Sequence, residues 1–540
     1  MIEVSRRSLL ATSMFGAGAL AIPGLSTAQT VLAARGFTHS VASGEPGPDE
    51  ILLWTRYVPT SGDSARVKVE LSDSADFTRV AFGGEAITGP WRDWTAKITV
   101  TGLQPGRLYH YRFVAPDGTR SPVGRTKTLP DDRAAAFKAA IFSCSNIGFG
   151  FFNAYGHAAA RDDLDLAIHL GDYFYEYANG TYPSLQEVVA NRLPQPRSEI
   201  IHLADYRLRY ASYRADPDLQ ALHARLPMIA SWDDHETANN SWEGGAQNHD
   251  PATEGDWSAR KAAAIQAWRE WMPVSDEPWK SYEIGGLATL FRTDTRLSAR
   301  SRSTELGDLL RTSDPMRALA QYRDGAWNDP AHTMLGTQQE AWLNHGLTRS
   351  VKGGTKWQIV GFGTIIGQMR VPPKTEGWIA QARPGAAPYI QAAVAAGKAG
   401  LPSELDNWGG FPAARARFLK AAQAADANLV VLCGDSHNAW AFDLAQDRAS
   451  VGVEFAGHSV TSSGYESALT VDPATVARAL VAASPELKWC DTSNRGYMAM
   501  RVTPDRVSND WLFVDTVTSR NPAAKVGHTA SVQRGRRAMA

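Results

Sequence analysis

A chain of 540 residues exceeds what one compact hydrophobic core serves, so two domains are expected. Hydrophobic residues make up 44% and charged residues 21%, the profile of a soluble globular protein. The formal net charge of -1 leaves no basic patch for gripping a nucleic-acid backbone, and no internal apolar run approaches the roughly 20 residues of a membrane span.

The chain opens with Ser5-Arg6-Arg7-Ser8-Leu9-Leu10, followed by an apolar, small-residue stretch over 9–22. Pro23 and Gly24 break it, and Ser26-Thr27-Ala28 offers a small-residue cleavage site. Charge, apolar block and cleavage site in this order predict a twin-arginine signal peptide over 1–28. The mature protein is then expected to be periplasmic or secreted, with the twin-arginine translocation machinery as its export partner. That route carries proteins already folded, often with a cofactor in place.

Residues 37–129 read as all-β. Arg66-Val67-Lys68-Val69-Glu70-Leu71 alternates polar and apolar residues, and Gly-, Pro- and Asp-rich turns separate such segments. The run from Ile98 through Gly102-Leu103-Gln104-Pro105-Gly106 to Tyr109-His110-Tyr111 resembles the corner of a fibronectin type III or Ig-like sandwich, in which a tyrosine ties back to the backbone. Nothing in this domain reads as catalytic. A linker is expected at Leu129-Pro130-Asp131-Asp132-Arg133.

Beyond it, over 135–520, short continuous apolar runs appear at 137–142, 164–170, 227–230, 357–361 and 429–432. Such runs, bounded by turns, predict strands buried on both faces. Helices fall between them, one over 258–271 with Ile265, Trp268 and Trp271 on a core-facing stripe. The Ala-, Gly- and Pro-rich segment 380–400 reads as a surface loop or lid. An α/β domain of sheets flanked by helices follows, and chemistry in such folds collects where strands end.

Four of the five apolar runs end in candidate ligands. The first ends in Ser143-Cys144-Ser145-Asn146; a lone thiol there also reads as a small buried apolar residue. The second ends in Gly171-Asp172-Tyr173-Phe174-Tyr175-Glu176. The glycine allows a sharp turn, the carboxylate can bridge two cations, and tyrosinate suits a trivalent ion. A helix N-cap with an aromatic behind it is the plainer alternative. The third, Trp232-Asp233-Asp234-His235-Glu236, places four titratable groups in a row, costly unless solvated or used. Asp234 is the candidate ligand, and His235 the proton donor or phosphate contact. The fourth is Cys433-Gly434-Asp435-Ser436-His437-Asn438. Here Asp435 and His437 are expected to alternate along an extended stretch and face one side. Only Cys144, Cys433 and Cys490 occur, too sparse for a disulfide framework, although one pair could bridge.

The order and spacing of these clusters resemble calcineurin-like metallophosphoesterases. Ser-Cys-Ser, Gly-Asp-Tyr-Phe-Tyr-Glu, Trp-Asp-Asp-His-Glu and Gly-Asp-Ser-His together are similar to the PhoD alkaline phosphatase family, which also has a leading β-sandwich and a twin-arginine signal. The resemblance covers nearly the whole chain. It implies a phosphate-ester substrate and a metal centre of Fe3+ with about two Ca2+. Cys144, Asp172, Tyr175 and His437 would surround the iron, and Asp172, Asp234 and Asp435 would face the calcium side. Carboxylates replacing the superfamily's histidines make the site harder and more anionic, in keeping with calcium. The superfamily's further histidine after a middle strand is missing, and Gln368 is a candidate for its place.

The expected reaction is in-line, metal-assisted hydrolysis of a phosphate mono- or diester, with His235 at the leaving group and Asn146 and Asn239 near substrate oxygens. No Gly-x-Ser-x-Gly nucleophile elbow occurs. A phospholipase D-like or teichoic-type phosphodiesterase is the nearest alternative. A non-catalytic extracytoplasmic metal-binding protein is the alternative of another class.

Overall fold

A computed structural model describes residues 33–540. The predicted export signal lies outside them. Among the described residues, twenty strands are formed. The leading seven are β1 (Gly36–Gly44), β2 (Glu50–Val58), β3 (Ala65–Ser72), β4 (Phe82–Thr88), β5 (Thr95–Thr101), β6 (Leu108–Val114) and β7 (Gly124–Lys127). Strand β3 buries Val67, Val69 and Leu71 and turns its charged residues outward, as the alternation predicts. The order β4-β3-β6-β7 makes one sheet, and β1-β2-β5 belong to another, with a shared apolar core between them. At the corner before β6, the Tyr109 hydroxyl accepts the Gln104 N–H at 2.9 Å.

The second half supplies β8 (Phe137–Phe142), β9 (Leu166–His169), β10 (Met228–Ala230), β11 (Lys280–Ile284), β12 (Ala288–Arg292), β13 (Trp357–Gly361) and β14 (Leu429–Cys433). It continues with β15 (Ala439–Gln446), β16 (Ala449–Ala456), β17 (Leu487–Asp491), β18 (Gly496–Val502), β19 (Arg506–Val514) and β20 (Ala524–Gln533). Two large mixed sheets result, β20-β19-β18-β8-β9-β10-β1-β2-β5 and β11-β12-β13-β14-β16-β15-β17. They share one apolar core, in which Ile141, Ile168 and Ile229 of the first meet Leu290, Ile359 and Leu432 of the second. Helices Leu203–Arg214 and Trp257–Trp271 cover the outer face of the first sheet, and Gly336–Lys352 and Pro412–Ala424 that of the second. The central strands β8, β9, β10, β13 and β14 are therefore buried on both faces, which is why they read as unbroken apolar runs.

Two arrangements differ from the expectation. The leading strands do not stand apart from the second half, because β1 pairs in parallel with β10 through Gly44 and Met228, making one continuous sheet. The segment 380–400 is not a loop: it contains the helix Ala387–Lys398. Its alanines favour helix more than the flanking glycines and prolines oppose it. Ser258 to Trp271 is helical as predicted, with Trp268 and Trp271 buried and Ile265 packed against the same core. Among the described residues, no helix is long and apolar enough to cross a membrane. All three cysteines are free and buried, so no pair bridges.

Candidate metal centre

Strands β8, β9, β10 and β14 deliver their exit turns to one place. Three overlapping ligand groups form there: Cys144, Asp172 and His437; Asp172, Asp234 and His235; and Asp233, Asp234 and Asp435. Within each group the donor atoms lie within 4.8 Å of one another, the span available to ligands of a single cation at bond lengths of about 2.0–2.5 Å. Asp172 belongs to the first two groups and Asp234 to the last two, so shared carboxylates link them. The Tyr175 hydroxyl lies 3.1 Å from Asp172 Oδ2 and 3.0 Å from His437 Nε2, and joins the first group. The structure thus gathers Cys144, Asp172, Tyr175, Asp234, Asp435 and His437, together with His235.

The turns that carry these groups are strained. Cys144, Asp172, Asp435 and His437 all have left-handed backbone, with φ of 58°, 54°, 63° and 60°. Each such non-glycine residue costs about 1–3 kcal/mol, and strain of this kind collects where a side chain must be aimed at a ligand. Gly171 is needed for the Asp172 turn: its φ is +106°, and an added Cβ would sit 2.3 Å from the Asp233 Cβ. The expectation that Asp435 and His437 alternate along a strand is corrected here. They lie in the turn after β14, and the left-handed backbone aims Asp435 at Asp233 and Asp234 but His437 at Cys144 and Asp172.

Behind the ligands stands a layer of hydrogen bonds. His437 Nδ1 lies 2.9 Å from the Ser463 carbonyl, which turns Nε2 toward the ligand group. Ser462 donates to the Tyr175 hydroxyl at 2.8 Å. Glu236 accepts the backbone N–H groups of Asp172 at 3.1 Å and Asp233 at 2.7 Å, pinning the β9 and β10 turns to each other. His235 Nδ1 is 2.7 Å from Glu176, its Nε2 is 4.0 Å from Asp234 Oδ2, and its ring packs on Tyr175 with centroids 4.2 Å apart. Arg296, fully buried, is the largest counter-charge. It binds Asp233 at 2.6 Å and pairs with Asp406, and its Nη2 lies 3.7 Å from Asp234 Oδ1 and 3.6 Å from Asp435 Oδ1.

Sequence reading passed over Arg296, Glu176 and Glu236. The two glutamates stand inside the motifs over 171–176 and 232–236, and in the second three acids within four residues could have signalled that some serve as props. Arg296 carried no local signal. Asn146 is buried, with its amide oxygen accepting the Gly148 N–H at 3.0 Å and its amide nitrogen donating to the Tyr182 carbonyl at 3.1 Å. Asn239 donates its backbone N–H to Glu176 at 2.6 Å. Gln368 is exposed and donates its backbone N–H to Glu486 at 2.8 Å. At the exit of β13 it is Gly363 that meets the centre, and an added Cβ would sit 2.3 Å from Asp233 Oδ1, so no histidine fits there.

The electrostatics are those of an anionic pocket short of positive charge. Burial and neighbouring carboxylates hold Asp172 and Asp435 well above the ordinary carboxylate range. Burial, with Asp172 beside it, does the same to the Cys144 thiol. Burial opposes ionisation of Asp234 too, but Arg296 and His235 outweigh it and pull it down. Burial also opposes a charge on His235, yet Asp234, Glu176 and Asp172 raise it well above the imidazole range. Burial depresses His437 to about 3, leaving a neutral ring able to donate a lone pair. Burial lifts Glu236 to about 7. A carboxyl raised on folding holds its proton more tightly in the native state, so native stability falls as pH rises from the ordinary carboxylate value through the raised one. The contribution of Glu236 should therefore shrink over about pH 4.5 to 7, so that the Tm of the metal-free protein measured against that of Glu236→Gln should fall from pH 5 to pH 7.5. Melting both metal-stripped proteins across that range checks this, and a difference in Tm that stays flat or rises with pH would contradict it.

The site fits cations on structural grounds. Asp172 Oδ1 and Asp234 Oδ1 are buried oxygens with no hydrogen-bond partner, and both belong to the linked groups. A buried anionic oxygen without a partner is costly unless an ion takes the vacant direction.

The chain is similar to known phosphatases. Residues 139–511 match the family model of the PhoD-like phosphatase, and residues 24–130 that of the PhoD-like phosphatase N-terminal domain. The chain is 30% identical over 519 residues to alkaline phosphatase D of Bacillus subtilis (strain 168), covering 92% of this chain and 80% of that protein. A solved structure of PhoD superposes with a TM-score of 0.76 at 28% identity, covering 96% of this chain and 93% of that one. The purple acid phosphatase PPD1 of yellow lupin (Lupinus luteus) shares the fold, with a TM-score of 0.55 at 13% identity over 93% of this chain and 75% of that one. The chain belongs to the PhoD-like phosphatase family and is a phosphoric ester hydrolase.

Proposed function

We propose that this chain is an exported, metal-dependent hydrolase of phosphate mono- and diesters, with ferric iron held by Cys144, Asp172, Tyr175 and His437 and calcium by Asp172, Asp234 and Asp435. One observation carries the reading: six potential ligands from four strand ends converge, and the two carboxylates that link their groups keep buried oxygens without hydrogen-bond partners. Thiolate and tyrosinate suit a trivalent ion, and the all-carboxylate side suits calcium. When bound, the cations supply Lewis-acid neutralisation of the phosphoryl oxygens and acidify a water. His235, held protonated between Glu176 and Asp234, supplies a proton to the leaving oxygen or holds a phosphoryl oxygen. Asn146, its amide already engaged, takes a positioning role: it holds the carbonyl of Tyr182, whose hydroxyl lies 3.2 Å from His437 Nδ1.

The twin-arginine opening supports export to the periplasm or medium, with the segment 1–28 removed. The strand orders β4-β3-β6-β7 and β1-β2-β5, with the Tyr109 corner, support a fibronectin-like module ahead of the catalytic part.

The purified protein should absorb visible light through thiolate or tyrosinate to ferric charge transfer. Cys144→Ala should lose that band, its iron and most p-nitrophenyl phosphatase activity, whereas Cys490→Ala, on β17, should keep all three. Elemental analysis with an absorption spectrum checks the metals. Near-native iron and activity in both variants would refute the thiolate ligand.

A further inference from the structure

Beside the metal centre lies a cavity of about 1050 Å³. Four of its lining residues are each tied to a different part of the centre. Tyr177 packs on His235 with ring centroids 5.4 Å apart, and Asn240 donates its backbone N–H to Asp234 Oδ2 at 2.7 Å. Asp406 pairs with Arg296, and Tyr465 donates its backbone N–H to Asn438, next to His437, at 3.2 Å. The cavity therefore adjoins residues in contact with the centre, in which Asp435 and His437 have side chains 28% and 18% exposed.

Its walls are contributed in part by helices Leu306–Leu310 and Ala387–Lys398, which lie outside the strand framework that holds the ligands. Leu310, Met369, Trp378, Ile390, Leu405 and Leu480 give it a largely apolar lining. Its charged residues balance: Arg311 and Arg370 are matched by Glu305 and Glu404, and Asp406 is already neutralised by Arg296 and Arg300. A cavity of this size is in the range that encloses a sizeable organic group, with orientation set by a few polar contacts. A polymer of phosphodiester repeats carries a negative charge at every repeat and needs a cationic track, which balanced charges do not provide.

We propose that this cavity is a subsite for the alcohol group of the ester, and that it selects an uncharged, largely apolar one. The proposal rests on the phosphoesterase reading for its placement beside the reacting phosphate. Burial of each additional methylene then strengthens binding, until the cavity is filled.

The test uses the metal-loaded enzyme and non-hydrolysable methyl-, butyl- and octylphosphonate in titration calorimetry, with initial rates on butyl and octyl phosphate. Affinity is expected to rise on the order of threefold per methylene from butyl to octyl, and kcat/KM to rise with it. Ile390→Trp, which fills part of the cavity, is expected to flatten the gradient. Equal affinity for butyl- and octylphosphonate, a gradient that survives in Ile390→Trp, or tighter binding of poly(glycerol phosphate) than of octylphosphonate would each overturn the subsite. Length-dependent binding with no turnover of any ester, p-nitrophenyl phosphate included, would instead overturn the phosphoesterase reading and leave the apolar subsite standing.

Discussion

Asp172→Asn should lower kcat/KM for p-nitrophenyl phosphate by about a thousandfold, and should weaken the binding of more than one cation at once. The carboxylate belongs to two ligand groups, and it also receives the Tyr175 hydroxyl. Asparagine keeps its shape but removes the negative charge and one of the two equivalent anionic oxygens. Cation stabilisation of a phosphoryl transition state is worth several kcal/mol, and about 4 kcal/mol corresponds to three decades in rate. In the metal-free protein the effect on stability should have the opposite sign. There Asp172 is a buried acid with an unpartnered oxygen, so the neutral amide should raise Tm. Metal analysis and melting curves of stripped and loaded protein separate the two effects. Full metal content together with native activity in the variant would show that no cation depends on Asp172.

Arg296→Met is expected to destabilise the loaded enzyme by about 3–5 kcal/mol, the range seen when one partner is removed from a buried ion pair. Its guanidinium is enclosed by Asp233, Asp406, Asp234 and Asp435, all close enough to feel its charge. Without it, Asp233 and Asp406 lose their partner, although Arg300 still reaches Asp406. Asp234 and Asp435 lose the cation that sets the direction of their Oδ1 atoms, so calcium affinity should fall about 10- to 100-fold, the usual scale for losing a group that orients a metal ligand. Arg296→Lys should recover only part of either loss, because an ammonium cannot span both Asp233 and Asp406 as the planar fork does. Denaturant melts and calcium titration measure the two quantities. A variant with native stability and native calcium affinity would mean that the carboxylates are held by other groups.

Both expectations bear on how far a sequence can be read. Strands β8, β9, β10, β13 and β14 were legible because burial on both faces leaves no polar alternation, and the turn residues mark where each run stops. The candidate ligands were legible because a cysteine, a Gly-Asp, an Asp-His and an Asp-x-His follow those runs directly. The helix Ala387–Lys398 is masked in the sequence by the glycines and prolines in and around it. The turn geometry of Asp435 and His437 was also out of reach, since a left-handed backbone at a non-glycine residue is imposed by surrounding contacts and not by local preference.

The amino-acid order by itself determined which side chains could bind a cation and which strands would carry them, because apolar runs and turn residues are local patterns. Tertiary structure decided the rest. It distinguished Asp233, clamped by Arg296 at 2.6 Å, from Asp234, which keeps an oxygen without a hydrogen bond; it joined β1 to β10 in one sheet; and it set the apolar cavity beside Tyr177, which packs on His235. Each of these depends on groups far apart in the chain, and electrostatic pairing and packing act through distance in space.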